Sequence, residues 1–413
     1  MLSKLENTKK NTKKQQQKNK LIRLLYLHKT LTNAKLVKLS GLSLPTITQL
    51  LAELSDEGYI EILGSGNSSG GRKPNLLGLT NHAFFTISVD IERYSAKIAL
   101  INSQNDYVVK PHQFEIDLND KNGTVDLVAS QVNKFVSSFE GNSERIIGLG
   151  ISLPGLINSD KGINYNFLNF DELSVSSIFE QRVNLPVFII NDAKARALAE
   201  LRFGKAKGTK NSLVIYIGWG LGTGLILDGK LYTGNDGFSG EFSHIPVVEN
   251  GILCQCGKRG CLETVASGTA LSRLAIEGIA QGEQTDLARL TGNEARHIHY
   301  MSVVESALKG DAFSIDILSE VGSELGRGIA MLIQILNPEL IIFGGQMLKA
   351  GQFLTIPIEH SLNKYCLSNL RTSIKIDISE MGEKASLLGA TINTIEKYFS
   401  NPNNYLTKQK SSL

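Results

Sequence analysis

Cysteine is scarce in this chain: four in 413 residues, three of them between Cys254 and Cys261. A disulfide framework is therefore not expected. No apolar run approaches the roughly 20 residues needed to span a bilayer, so membrane insertion is not expected either. An excess of one charge is also lacking. Lys and Arg number 43 against 40 Asp and Glu, a net of +3, and local charge must be read instead of the total. The lysine-rich first twenty residues are not followed by an apolar h-region, so they do not read as a secretory signal. The cytoplasm is the expected compartment, and there a cysteine cluster more often binds metal than forms disulfides.

What is present reads as a folded chain. Hydrophobic residues make up 42% and charged residues 20%, ordinary globular values, and the length predicts two or three domains. Residues 1–19 are expected to be a basic flexible arm. Lys4, Lys9, Lys10, Lys13, Lys14 and Lys18 there face only Glu6. The arm either touches phosphate or is a solvated end.

Residues 20–80 predict a winged helix. Leu21, Ile22, Leu24, Leu25 and Leu27 give an apolar helical face, and a second short helix fits Asn33–Ser40. Gly41 suits the turn, Ser43 an N-cap and Pro45 the first turn of a third helix from Leu44 to about Glu57. Tyr59–Leu63 and the run starting at Leu76 read as two strands flanking a Gly/Ser-rich loop.

After Phe84 the pattern becomes α/β. Phe84–Asp90 with Ala96–Asn102, and Leu213–Gly218 with Gly224–Leu227, read as hairpins, the second with Gly-Leu-Gly-Thr-Gly at its turn. Ile146–Ser152, Val187–Ile190 and Leu340–Phe343 read as buried strands. A hairpin opening each half predicts an internally duplicated fold of two lobes with a cleft. The expected boundaries are a smaller lobe of 81–195 plus about 381–400, and a larger lobe of 196–380.

His244, Cys254, Cys256 and Cys261 form the most specific chemical pattern. Three thiolates and an imidazole are a sufficient set for tetrahedral structural zinc, with no ligand position left open for catalysis.

These residues carry a resemblance. Gly240-Glu-Phe-Ser-His244 and Cys254-Gln-Cys-Gly-Lys-Arg-Gly-Cys-Leu-Glu263 resemble motifs of the ROK family, the repressors and sugar kinases. Gly148–Gly155, Asn191-Asp-Ala193, Asn337-Pro-Glu339 through Gly344-Gly345, and the wing Gly70–Pro74 are similar to its other motifs. The resemblance implies an α/β fold: an N-terminal winged helix-turn-helix followed by a two-lobed, actin-like (ribonuclease H-like ATPase) ROK domain. It also implies that Asn191, Asp192, Glu241, His244 and Glu263 bind a sugar or sugar phosphate, with Lys194 where the family often has Asn.

The family's kinases have Asp-Ile-Gly-Gly-Thr at the first hairpin, and this chain has Asp90-Ile-Glu-Arg-Tyr94. The lost glycines remove backbone donors that ATP phosphates need, and Glu92 adds negative charge. At the second turn, Gly218-Trp-Gly-Leu-Gly222 keeps its glycines, but Trp219 replaces the usual Thr. No catalytic residues are therefore expected. The expected function is a sugar-responsive regulator, most simply a repressor, of carbohydrate genes. The alternatives are a sugar kinase with an appended head and a regulator controlled by a protein partner. Thr46, Thr48 and Gln49 on the third helix, with Arg72 and Lys73 in the wing, are the expected contacts to double-stranded operator DNA. A homodimer or tetramer is expected, because one head covers little DNA.

Overall fold

The computed structural model describes residues 2–66, 73–171, 173–291 and 298–401. These divide into two compact units, Met1–Asn191 with Ser386–Leu413, and Asp192–Ala385. The divisions fall a few residues from the lobe boundaries read in the sequence, and the head groups with the first lobe.

The first unit opens with α1 (Leu2–His28), β1 (Thr30–Leu31), α2 (Asn33–Ser40), α3 (Leu44–Asp56), β2 (Ile60–Ser65) and β3 (Asn75–Leu79). The local signals act as read. Gly41 is left-handed at φ 68°, the Ser43 side chain accepts the Thr46 N–H, and Pro45 occupies the first turn of α3. Leu21, Ile22 and Leu25 of α1 are buried, as are Ile47, Leu50 and Leu54 of α3. The three strands pair in the order β1-β3-β2.

The expected flexible arm is a correction. The first helix begins at Leu2 and is continuous to His28. Lys18 and Asn19 are buried, and Lys14 and Lys18 pair with Glu53 of α3. Lys18, held by two carboxylates inside the fold, is not available to phosphate.

The unit continues with β4 (Phe85–Ile91), β5 (Ser95–Asn102), β6 (Tyr107–Glu115), α4 (Lys121–Ser138), β7 (Ile146–Leu153), β8 (Ile157–Asn158), β9 (Ile163–Asn164), α5 (Val175–Val183) and β10 (Val187–Asn191). The second unit holds α6 (Asp192–Phe203), β11 (Ser212–Ile217), β12 (Leu221–Leu227), β13 (Lys230–Tyr232), α7 (Glu263–Ala266), α8 (Gly268–Gln281), α9 (Asp286–Thr291), α10 (Tyr300–Leu308), α11 (Ala312–Leu336), β14 (Leu340–Gly344), α12 (Gln352–Tyr365), α13 (Ser368–Ser373) and β15 (Lys375–Ile378). The chain then enters α14 (Lys384–Ser400), nearly all of which belongs to the first unit.

The duplication is plain in the topology. The first unit's sheet runs β10-β7-β4-β5-β6 and the second unit's runs β13-β12-β11-β14-β15. In each, an antiparallel three-stranded meander is extended by two parallel strands beside its first strand. The strands β4, β7 and β14 are buried along their whole length, the signature of sheets covered on both faces. The run Gly220-Leu-Gly-Thr-Gly224 is not the hairpin turn. It lies mostly in β12, and the turn is Gly218–Gly220.

In the first unit α14 lies directly on the sheet. A Cβ at Gly150 would stand 2.6 Å from the Ala390 carbonyl oxygen. Buried hydroxyls tie the layers: Ser386 donates to Asp90 at 2.5 Å, and Ser88 meets Thr391 at 2.7 Å. Gly150→Val therefore overpacks this seam. It should cost about 1–3 kcal/mol, read as a lower denaturant midpoint with an unchanged m-value.

The head is fixed to this lobe by Arg145, just before β7. Its guanidinium donates to the carbonyls of His82 and Glu57, each at 2.7 Å, and lies 4.8 Å from the centre of the Tyr59 ring. Phe84 is fully buried and meets Phe399 of α14 edge-on at 5.4 Å.

Candidate functional site

The second unit builds its chemical centre on a short knuckle. Cys254 N–H donates to the Lys258 carbonyl at 2.7 Å, and Gly257 N–H donates back to the Cys254 carbonyl at 2.9 Å. Gly257 and Gly260 are left-handed, at φ 84° and 71°, which glycine adopts at little cost. Pro246 pairs with Cys261 across an isolated bridge, and Leu262 N–H reaches the Ile245 carbonyl at 2.9 Å. That pairing sets His244, at the end of a one-turn 3-10 helix, beside the cysteines.

The ligand atoms of His244, Cys254, Cys256 and Cys261 all lie within 4.8 Å of one another. Cys254 Sγ is 3.5 Å from His244 Nδ1, and Cys256 Sγ is 3.5 Å from Cys261 Sγ. Thiolates about 2.3 Å from a tetrahedral metal stand about 3.8 Å apart, so the donor set fits a closed metal site. Burial and the two neighbouring sulfurs push the Cys261 thiol up to about 12. A divalent cation would reverse that balance and favour thiolate.

Carboxylates surround the knuckle. Glu263, two residues beyond Cys261, opens α7, and its Oε2 lies 3.8 Å from His244 Nδ1. Glu241 precedes the 3-10 turn and faces Lys194 of α6 at 3.6 Å. Asp192, the first residue of α6, pairs with Arg196 at 3.3 Å. Burial raises Glu241 above the usual carboxylate range against the pull of Lys194, and burial lowers Lys194 against the pull of Glu241. Burial also raises Glu263, and the His244 charge opposes that shift. Four of the five expected sugar residues thus share one electrostatic neighbourhood in the second unit. Asn191 belongs to the first unit, where its amide donates to the Gly155 carbonyl at 3.2 Å. Lys194 is the residue whose part the sequence did not reveal. Its only signal there is that it stands where the family often has Asn.

The two hairpin turns have internal duties. In the first, Glu92 N–H bonds the Ser95 carbonyl, and the carbonyls of Arg93 and Tyr94 accept from Leu118 and Ile116. In the second, the carbonyls of Gly218 and Trp219 accept from Gly268 and Thr269 at the start of α8. A Cβ at Gly220 would meet Glu263 Oε1 at 2.8 Å, and one at Gly222 would meet Ala193 of α6 at 2.7 Å. Close packing against α6 accounts for Gly222, whereas the contact at Gly220 is with the end of a flexible side chain. Trp219 stacks on His299 at 5.7 Å and is 42% exposed.

On the head, Thr48 and Gln49 are exposed on α3, and Lys73 is exposed before β3. Thr46 is half-buried, with its hydroxyl 2.8 Å from Ser43 Oγ, so it supports the cap. Arg72 lies outside the described residues. No helix among the described residues is long and apolar enough to cross a membrane.

A helix-turn-helix head and a duplicated α/β domain with a His/Cys3 knuckle define a DNA-binding regulator built on a sugar-kinase-type domain. The ROK family model matches residues 86–396, and a winged helix-turn-helix DNA-binding model matches residues 15–61. The chain belongs to the ROK family. It is 33% identical to a glucokinase of Halalkalibacterium halodurans, over 73% of this chain and 92% of that one. It is 29% identical to a xylose repressor of Caldicellulosiruptor bescii, over 93% of this chain and 97% of the relative. A solved ROK family transcriptional regulator, a homolog of the E. coli MLC protein, matches with a TM-score of 0.77 and 29% identity. That match covers 93% of this chain and 96% of the other. The glucokinase likeness covers 73% of this chain, whereas the repressor and the regulator each cover 93% of it.

Proposed function

We propose that the chain is a sugar-responsive transcriptional repressor of carbohydrate genes that binds its sugar without phosphorylating it. One observation carries the reading. The exposed recognition helix and the carboxylate cluster lie on one chain whose first hairpin turn, Glu92–Tyr94, lacks the glycines that admit ATP phosphates. Loss of those donors removes most of the electrostatic stabilisation that phosphoryl transfer requires. The glucokinase likeness favours a second reading, a kinase with an appended head, and turnover with Mg-ATP separates the two.

In this reading Asp192, Glu241, His244 and Glu263 hold sugar hydroxyls, and Asn191 joins them by its place beside Asp192 in the chain. Paired hydroxyls suit carboxylate acceptors. Zinc is the metal that three thiolates and one imidazole suit best. Held by His244, Cys254, Cys256 and Cys261, it would fix the backbone that carries Glu241 and Glu263. Xylose and N-acetylglucosamine, which appear in the names of relatives, are the first effectors to test. The compartment is the cytoplasm, and the DNA-bound form is a homodimer or a tetramer. Sugar acts by binding one arrangement of the protein better than the other.

Thr48, Gln49 and Lys73, with Arg72, form the proposed DNA surface. Lys73→Ala should weaken binding to all duplexes alike and reduce the salt slope by about 1. Fluorescence anisotropy at several salt concentrations measures this, and an unchanged slope places the phosphate contacts elsewhere.

A further inference from the structure

On the head, α1 and α3 are joined by a charged network that no other part of the proposed mechanism uses. Lys18 of α1 is buried, and its Nζ lies 3.0 Å from Glu53 and 2.6 Å from Glu57. Lys14, one turn earlier, reaches Glu53 Oε1 at 2.6 Å. The same Oε1 accepts a hydrogen bond from Gln49 Nε2 at 3.2 Å. Glu53 is thus clamped by two ammonium groups from another helix and holds the amide of Gln49. An exposed glutamine otherwise samples several rotamers, and fixing one on DNA costs side-chain entropy.

Glutamine reads adenine with one N–H and its carbonyl oxygen. The amide has two N–H groups. Giving one to Glu53 leaves the second and the oxygen for a base edge. We propose that Glu53, clamped by Lys14 and Lys18, is a positioning residue that orients Gln49 for base reading and so sets operator specificity. This rests on the reading of Gln49 as a DNA contact. It also assigns Lys14 and Lys18 of α1 an internal role in place of a phosphate-binding one.

The test uses the full chain, a duplex it selects from a random library, and an unrelated duplex. The quantity read is the ratio of the two affinities, together with base preference at each position of the selected site. Glu53→Ala should lower the ratio about tenfold, with the loss concentrated at one position. Glu53→Gln, whose carbonyl still accepts from Gln49, should keep most of it. A plain charge effect would raise both affinities together and leave the ratio unchanged. Lys14→Ala, a half-exposed change that spares the buried Lys18, should loosen the same carboxylate and move the ratio in the same direction. It serves if Glu53→Ala does not fold. If Gln49→Ala lowers the ratio but both Glu53→Ala and Lys14→Ala retain it, the positioning role is overturned and the base-reading role stands. If Gln49→Ala itself keeps the ratio, base reading by Gln49 is overturned, and the positioning role with it.

Discussion

Cys256→Ser is expected to purify without metal, to melt well below the parent chain and to lose its response to sugar. The knuckle is closed by four ligands from two short segments. Its backbone is held by two isolated bridges and left-handed glycines, and Ile245, Ile252 and Leu253 along it are exposed. Metal that binds only the folded form stabilises it by mass action, about 4 kcal/mol when free zinc stands a thousandfold above its dissociation constant. Removing one thiolate removes most of that. Elemental analysis should find about one zinc per parent chain and almost none in the variant. Cys366→Ser is the control, because that thiol lies at the end of α12 and outside the knuckle. It should keep its metal. A Cys256→Ser protein with the parent's melting temperature and sugar affinity would separate the metal from the sugar site.

Calorimetry should show sugar binding by the parent chain, and the same sample with Mg-ATP should yield no sugar phosphate. Glu263→Ala should weaken binding roughly 10- to 150-fold, the loss of one charge-assisted hydrogen bond worth about 1.5–3 kcal/mol. Glu241 needs a gentler change. Its carboxylate faces the buried Lys194, and alanine there would strand a buried cation. Glu241→Gln keeps an acceptor toward Lys194 while removing the charge, and should weaken sugar binding without lowering the melting temperature much. Turnover above a control without Mg-ATP would favour the kinase reading. Loss of binding accompanied by unfolding would assign the carboxylates a structural part instead.

The parts that were legible in the sequence are local ones. Ser43, Pro45 and Gly41 act within a turn of where they stand, so the helix-turn-helix could be read directly. The four residues of the knuckle lie within one stretch between His244 and Cys261, so the cluster could be read from their spacing, while the Pro246–Cys261 pairing that closes it could not. The duplicated architecture was legible as two hairpins, while the shared strand order needed pairings between strands far apart in sequence. What escaped depended on distant partners. The lysines at 14 and 18 read as a free basic arm because Glu57 stands 39 residues beyond Lys18. Lys194 gives no sign of its partner in the sequence until Glu241 is placed against it. The glycines of β12 read as a phosphate turn, yet Gly222 makes room for Ala193 of α6. Glycine satisfies either demand, so its presence alone does not tell them apart.

Operator affinity of the full chain, measured by anisotropy with and without sugar, bears most directly on the repressor reading. The duplex is the one the protein selects, and the sugars are xylose, glucose, N-acetylglucosamine and their phosphates. One of these should weaken operator binding at least tenfold, leave binding to an unrelated duplex nearly unchanged, and do so without nucleotide. Glu263→Ala should bind the operator normally and ignore that sugar. Operator affinity that no sugar changes, or that changes only when Mg-ATP is present, would contradict a repressor that senses sugar by binding alone.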